Sequence, residues 1–162
     1  MSSIVPEPRF HAKARVPDEL LARSGFLFAK LGVLVKARAI EAFQRAGFEA
    51  YHYSLLALLG EGERETQATI ADVLGVDRSQ LVGILDSLER RGLVERRRDP
   101  HDRRRHVVSL TPDGRRQLVR LRAIVRRVED EFFAPLDADT RAVLHDALLS
   151  LAMYHDPRCS AE

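Results

Sequence analysis

Residues 66–114 read TQATIADVLGVDRSQLVGILDSLERRGLVERRRDPHDRRRHVVSLTPDG and open with two short amphipathic helices separated by a tight turn. Apolar residues near the helical period predict the first helix from Gln67 to Leu74. Its predicted inward-facing residues are Ile70, Val73 and Leu74. Gly75 supplies the tight turn between the two helices. Asp77 is the predicted N-cap of the second helix, because its carboxylate can accept a free backbone N–H of the first turn.

The second helix is predicted to bury one face and to project the other from the surface. Apolar residues at helical spacing turn inward, namely Leu81, Ile84, Leu85 and Leu88. That spacing leaves Arg78, Ser79, Gln80 and Gly83 outside. The helix ends at a basic turn followed by Gly92. An exposed and capped first turn is where a recognition helix reads bases.

A hairpin with an arginine-rich tip is predicted to follow. Residues 93–96 and 106–110 have strand patterns, and residues 99–102 (Asp-Pro-His-Asp) have turn chemistry. The arginines that flank the turn are Arg96, Arg97, Arg98, Arg103, Arg104 and Arg105. Cations held this close repel one another unless an anion is nearby. A solvated basic face is the alternative reading of an isolated arginine run, but the capped helix and the hairpin around this one favour a polyanion.

The positive charge is local to this segment. The whole chain has 26 basic and 24 acidic residues and a net charge of +2. Residues 77–120 contain 12 arginines and 7 acidic residues, a local net charge of +5, so the remainder carries −3. The phosphate backbone of DNA suits such a footprint.

Residues 77–114 resemble the signature of the MarR family of bacterial transcription regulators. In that family an Asp-x-Arg in the wing precedes a Leu-Thr-x-x-Gly helix start, and the matching residues here are Asp102, Arg104, Leu110, Thr111 and Gly114. The resemblance implies a mainly α fold with a small β-hairpin wing, built as a winged helix-turn-helix lobe plus a helical dimerisation layer. It also implies a homodimer on a near-palindromic operator and, in many members, a small ligand that releases the DNA.

Each predicted DNA contact has a chemical reason. Arg78, Ser79, Gln80 and Gly83 face the major groove, and Gln80 can pair with adenine through its amide, although a phosphate or water contact is an equal alternative. Many family members place Thr and Arg where this chain has Val82 and Gly83, so the operator sequence does not follow from relatives. The wing residues Arg103 and Arg104 resemble the family's minor-groove arginines, and Asp102 is expected to shape the tip. Arg96 and Arg98 are predicted phosphate contacts.

The flanking segments are predicted to form long helices that carry more apolar surface than one small lobe can cover. Pro17 starts one long helix, and Thr111 caps another that runs to about Phe133. The second helix has a seam at heptad spacing, formed by Leu118, Leu121, Val125, Val128 and Phe132. Asp137 or Asp139 opens a last helix that ends near Tyr154. We expect a core-like dimer interface here; the alternative is that these helices fold back onto their own lobe.

These elements predict five parts of the chain. They are an irregular arm (1–16), an N-terminal dimerisation helix (17–48), the winged helix-turn-helix lobe (49–112), the C-terminal dimerisation helices (113–156) and a tail (157–162). The chain has no long apolar run and no signal-peptide pattern, which predicts a cytoplasmic protein without a membrane partner.

The resemblance also implies an effector site. Family members often bind small aromatic acids or phenols between the dimerisation helices and the DNA lobe, and Arg38, His52 and Tyr53 occupy the corresponding place. The alternative is that Tyr53 is core and that His52 caps a helix or pairs with a carboxylate.

Other functions have weaker support in the sequence. No nucleophile with a base and no paired carboxylates stand out, so an enzyme is not expected, and no cofactor or metal site is predicted. A thiol redox sensor is the runner-up, but Cys159 lies at the opposite end of the chain from the reactive cysteine of the family's peroxide sensors. A DNA binder without any effector is a further alternative.

Overall fold

The computed structural model describes residues 15–62, 65–99 and 106–160. The chain begins with helices α1 (Asp18–Leu21), α2 (Ser24–Arg45) and α3 (Ala50–Glu61). Strand β1 (Glu65–Thr66) leads into helices α4 (Gln67–Leu74) and α5 (Arg78–Arg90). Strands β2 (Val94–Arg98) and β3 (His106–Leu110) follow, and then helices α6 (Pro112–Phe132) and α7 (Ala138–His155) with a final 3₁₀ turn (Pro157–Cys159). The fold is mainly α with a small antiparallel sheet, as predicted.

The helix-turn-helix is defined by its caps. The Thr66 hydroxyl accepts the backbone N–H of Thr69 at 3.1 Å, and Gly75 ends α4 with φ of +64°. The bounds of α4 match the prediction, and Ile70 is fully buried. Val73 was wrongly predicted to face inward, since it is 50% exposed. In a helix of only two turns the buried stripe is narrow, and Ala71 and Leu74 pack against the core on the other side of Ile70.

The sheet has three strands in the order β1-β3-β2. β2 pairs with β3 from Val94↔Leu110 to Arg98↔His106, which makes the predicted hairpin. β1 pairs with the other edge of β3 through Glu65↔Val108 and Thr66↔Val107. The sequence did not predict β1, because a strand of two residues has no alternation to detect.

The core lies where α3, α5, the sheet and the first half of α6 meet. Its fully or almost fully buried residues include Leu55, Leu56, Leu59, Leu81, Leu85, Leu88, Val108 and Leu121. All four residues predicted to face inward from the second helix of the motif are buried. Strand β2 and helices α3 and α4 therefore pack against one side of the recognition helix and leave its other face to solvent.

The N-terminal helix differs from the prediction. A single helix from Pro17 was expected, but the chain forms α1 and α2 with a break at Ala22 and Arg23. Arg23 has extended backbone angles (φ −105°, ψ 111°), which interrupt the helical hydrogen bonds. Ser24 and Gly25 follow, and neither is a strong helix former. α1 has no buried residue.

The last two helices differ in how they pack. The predicted seam of α6 is buried at Leu118, Leu121 and Val128, and α6 packs against α2 and α3 of the same chain. α7 starts after Asp137, whose carboxylate accepts the Thr140 N–H at 2.8 Å, and none of its residues is buried. The seam of α6 is therefore covered by helices of the same chain, as the fold-back alternative expected. The apolar side of α7 is only partly covered, with Leu144 and Leu148 half-buried and Val143 and Leu151 exposed.

Candidate nucleic-acid interface

The first turn of α5 is fixed by Asp77. Its Oδ1 accepts the Gln80 backbone N–H at 2.8 Å and the Ser79 hydroxyl at 2.7 Å. The Gln80 N–H lowers the pKa of this carboxyl, with a smaller contribution from Ser79. The cap is therefore ionised at neutral pH and faces the helix N-terminus, where the backbone dipoles favour negative charge. The N-cap prediction is confirmed.

The outer face of α5 presents a small and mixed surface. Arg78, Ser79 and Gln80 are exposed at the first turn, and a Cβ added at Gly83 would meet no atom within 4 Å. Val82 beside it is 38% exposed, although it is an apolar residue. Four of the predicted DNA contacts thus share one open helix face, and Val82 is a fifth member that the sequence-based prediction left out.

The C-terminal end of α5 is attached to the turn between α2 and α3. The Arg91 guanidinium lies 3.8 Å from the centre of the Phe48 ring, and its Nη1 donates to the Gly47 carbonyl at 2.9 Å. Gly47 has φ of +74°, a conformation that favours glycine. This contact joins the recognition helix to the helices that precede it. The sequence offered no signal for it beyond a basic last turn.

The base of the hairpin is tied to α5 through Arg96. Its Nε donates to Glu89 Oε2 at 2.9 Å, and its Nη2 donates to Asp86 Oδ1 at 2.6 Å and also to Glu89 Oε2. The Arg96 side chain is only 25% exposed. Hydrogen bonding to Glu89 raises the pKa of Arg96. The prediction that Arg96 contacts phosphate stays a prediction, but its guanidinium is directed at α5.

The outer part of the hairpin carries exposed arginines. The side chain of Arg97 is 73% exposed and pairs with Glu95 at 2.8 Å. Arg98 is exposed and stands opposite His106 in the strand register. The three predicted tip residues, Asp102, Arg103 and Arg104, lie outside the described residues. β2 therefore leads from a buried start at Val94 to a basic, exposed end.

The three predicted effector residues contact three different aromatic rings. Arg38 stacks over Phe132 with its guanidinium 5.2 Å from the ring centre, and Tyr53 stacks on Phe43 at 5.4 Å. His52 is 6% exposed and meets Phe48 edge-on at 6.0 Å.

His52 has a structural role in α3. Its Nδ1 accepts the Glu49 backbone N–H at 3.0 Å, so it completes a capping box. Burial lowers the pKa of His52, which stays neutral and able to accept that bond. The cap agrees with one of the alternatives for this residue, while its role in ligand binding stays a prediction.

The described residues contain neither a candidate metal site nor a helix that could cross a membrane. Across residues 15–62, 65–99 and 106–160, no three His, Cys, Asp or Glu side chains are grouped so that they could hold a metal ion. Within the same ranges no helix has the length and apolar character needed to cross a membrane. Cys159 is exposed and is not in a disulfide.

An exposed, capped recognition helix beside an arginine-bearing hairpin defines a winged helix-turn-helix DNA-binding protein. The sequence model of the MarR family matches residues 46–105. A protein of Thauera aromatica described as a transcriptional regulatory protein for the hcr operon is 30% identical over 128 residues, which span 74% of this chain and 77% of that relative. The chain belongs to the MarR family of transcriptional regulators.

Solved structures of relatives agree over most of the chain. The transcriptional repressor CouR bound to a 23-mer DNA duplex is 32% identical, with a TM-score of 0.74 over 86% of this chain and 99% of that chain. CouR from Rhodococcus jostii bound to p-coumaroyl-CoA is 34% identical, with a TM-score of 0.68 over 82% of this chain and 94% of that chain. The relatives are regulators, and structures of relatives named CouR have been solved with a DNA duplex and with p-coumaroyl-CoA.

Proposed function

We propose that this protein is a homodimeric repressor that binds a near-palindromic operator and leaves it when a phenolic ligand binds. The observation that carries the proposal is the open face of α5 beside the arginine-rich hairpin. Arg78, Ser79, Gln80 and Gly83 would face the major groove, and Arg98 would contact phosphate. Asp102, Arg103 and Arg104 would form the part of the wing that enters the minor groove.

The wing assignment predicts the result of removing two charges. We expect the double variant Arg103→Ala, Arg104→Ala to remain a folded dimer and to lose about tenfold or more in operator affinity, since each minor-groove arginine is worth about 1 kcal/mol or more. Fluorescence anisotropy with labelled operator measures the loss, and sedimentation confirms the dimer. Wild-type affinity in this variant would exclude the wing from DNA binding.

The exposed apolar residues of the terminal helices support the homodimer. They include Leu27, Phe28 and Leu31 on α2 and Val143, Leu149, Leu151 and Met153 on α7. Leu27, Phe28 and Leu31 are neighbours at helical spacing, and an exposed apolar surface of this kind marks an interaction site. We assign residues 17–48 and 113–156 to dimerisation and residues 49–112 to the DNA-binding lobe. The first half of α6 also belongs to the core of that lobe, because Leu118 and Leu121 are buried there.

The proposal of a phenolic effector rests on two observations. CouR, 34% identical to this chain, has been solved with p-coumaroyl-CoA, a phenolic acyl thioester. In this chain Arg38 and Tyr53 lie on α2 and α3 beside Phe132 and Phe43, so a cation and a phenol stand next to apolar rings. A cation and a phenol beside apolar rings are groups that suit an aromatic acid or its thioester.

A binding experiment tests the proposed function directly. Purified protein is titrated against DNA from upstream of its own gene, and against an operator selected from random sequences, at two salt concentrations with excess nonspecific competitor. We expect competitor-resistant, salt-sensitive binding with two protomers on half-sites about 34–36 Å apart. Adding p-coumarate or p-coumaroyl-CoA should release the DNA, and a reporter gene should then be derepressed. Binding that competitor abolishes for every selected sequence would overturn the proposal.

A further inference from the structure

Three side chains connect the recognition helix to the wing, and we call them the Arg96 clamp. Asp86 and Glu89 lie on the last turns of α5, and Arg96 is the third residue of β2. Arg96 uses its Nε and Nη2 for the two carboxylates, and its backbone N–H donates to Glu89 Oε1 at 3.2 Å. Glu89 therefore holds both the guanidinium and the main chain of the wing strand.

The clamp leaves the Arg96 guanidinium poorly placed for phosphate. Its side chain is 25% exposed, whereas that of Arg97 is 73% exposed. Hydrogen bonding to Arg96 also lowers the pKa of Glu89, so both partners are charged at neutral pH. The three side chains together carry a net charge of −1, which repels phosphate instead of attracting it. A phosphate contact by Arg96 would first require that these bonds break.

The clamp fixes the direction of strand β2 relative to α5. Arg96 stands opposite Val108, which is fully buried in β3, so this part of the sheet cannot move away from the core without exposing apolar surface. The exposed end of β2 begins at Arg97, one residue further along, and continues to Arg98. A small rotation at Arg96 would displace the wing tip relative to α5, because the strand rises about 3.3 Å per residue beyond this point.

We propose that Arg96 is a positioning residue: with Asp86 and Glu89 it sets the angle between the recognition helix and the wing, so that the two elements reach adjacent grooves of one DNA duplex. It acts through the wing and does not itself bind phosphate. This inference rests on the proposed function, since it requires that the wing contacts DNA.

Salt dependence separates positioning from phosphate contact. Affinity for DNA falls as salt rises, and we take the slope as the magnitude of the change in log K with log salt. Removing one phosphate contact makes this slope smaller by about one. We expect Arg96→Ala to lose about tenfold in operator affinity with an unchanged slope, and the matched variant Arg98→Ala to lose affinity with a slope lower by about one. Circular dichroism and sedimentation establish that both variants are folded dimers. A slope lowered by about one in Arg96→Ala, or wild-type affinity, would overturn the proposal.

The direction in which a second substitution changes operator affinity gives an independent test. Removing an acidic charge near DNA should by itself raise affinity for the polyanion. We expect Glu89→Gln to lower operator affinity, because it loosens the clamp, whereas Asp113→Asn, which removes an acidic group paired with Arg116 at the start of α6, should not lower it. An increase in affinity in Glu89→Gln would show that Glu89 only repels DNA.

A double-mutant cycle tests whether Arg96 acts through the wing. We expect Arg96→Ala to cost much less in the Arg103→Ala, Arg104→Ala background than in the wild type, because the wing no longer has contacts to misplace. Full additivity would overturn the proposal. If the wild-type protein bound only nonspecifically, the proposed function would fail, and the salt slopes of Arg96→Ala and Arg98→Ala on nonspecific DNA would still decide whether Arg96 contacts phosphate.

Discussion

Gly114 shows at the scale of one residue why a helix start in this fold excludes a side chain. A Cβ at this position would lie 1.9 Å from the Leu93 carbonyl oxygen and 3.2 Å from Leu110 Cδ2. The Thr111 hydroxyl caps the same turn by accepting the Gly114 N–H at 3.0 Å, and it donates to the Gly92 carbonyl at 2.6 Å. The glycine of the Leu-Thr-x-x-Gly pattern thus lets α6 approach the start of the wing closely.

We expect Gly114→Ala to destabilise the protein by about 2–3 kcal/mol, because the overlap with backbone outweighs the better helix propensity of alanine. Urea unfolding measures the free energy of unfolding. The matched variant is Gly83→Ala on α5, where the added methyl meets nothing within 4 Å. It should stabilise the protein by about 0.5–1 kcal/mol. Equal effects in the two variants would contradict the steric explanation.

His52 makes stability depend on pH in a defined direction. Burial lowers its pKa in the folded protein, and Arg91 lowers it further while Glu49 opposes both. The unfolded chain therefore takes up the proton at higher pH than the folded protein does. The stability that depends on neutral His52 is present above about pH 6.5 and decreases as the pH falls below that value.

His52→Gln tests this pH dependence without removing the cap. Glutamine suits the same position of a capping box, because its side chain can accept the Glu49 N–H and does not titrate. We expect the variant to lose less stability than the wild type between pH 7.5 and pH 5.5, as measured by urea unfolding. Parallel pH profiles would show that His52 does not titrate differently in the folded and unfolded states.

At the scale of elements, local chemistry was predictable and contacts between distant residues were not. Asp77, Thr111 and Asp137 each accept the N–H expected of an N-cap, because capping depends only on neighbours in sequence. β1 and the break at Arg23 were missed. The pairing of β1 is made with β3, about forty residues away. The break lies between Leu21 and Leu27, and the apolar residues on its two sides keep a seven-residue spacing that predicts one continuous helix.

The same limit applies to the candidate site. Residue type and spacing predicted which residues lie on the open face of α5, as the exposed side chains of Ser79 and Gln80 show. They could not show that Arg96 is turned toward Glu89, because that depends on how the hairpin packs beside the helix. Arginines adjacent in sequence differ in environment through tertiary packing, which composition does not encode.

The contact between α5 and the α2–α3 turn gives a prediction for Arg91. We expect Arg91→Ala to lower the free energy of unfolding by about 1–2 kcal/mol, since it removes a cation–π contact and a hydrogen bond. Arg90→Ala is the matched control, because Arg90 is exposed and donates to the Asp86 carbonyl of its own helix. Its cost should stay below about 0.5 kcal/mol. Thermal unfolding of both variants makes the comparison.

At the scale of the whole molecule, the terminal helices are the part of the described chain that is least complete by itself. α7 has no buried residue, and Phe28 on α2 is 63% exposed. Covering these apolar faces with a second copy would bury surface at about 25 cal/mol per Å². In the proposed dimer, the two lobes therefore depend on these helices for their spacing on DNA.

We expect Phe28→Asp to weaken the dimer, because the substitution would place an unpaired carboxylate in an apolar interface. Sedimentation velocity at several protein concentrations should show monomer where the wild type is a dimer. Gln44→Asp adds the same charge to an exposed site near the other end of α2 and should leave the association unchanged. A dimer of wild-type stability in Phe28→Asp would exclude this face of α2 from the interface.

The wing also has a free sheet edge, since β2 is the outer strand of three. The unpaired N–H and C=O groups of an open edge can bind a strand of another molecule, which leads to aggregation. Here the Arg96 N–H is already occupied by Glu89, and Arg97 and Arg98 place like charges along the rest of the edge. Two molecules that meet wing to wing therefore repel each other and find fewer open hydrogen-bonding groups. The residues that suit this hairpin to a polyanion also protect the protein from joining to its own copies through the sheet.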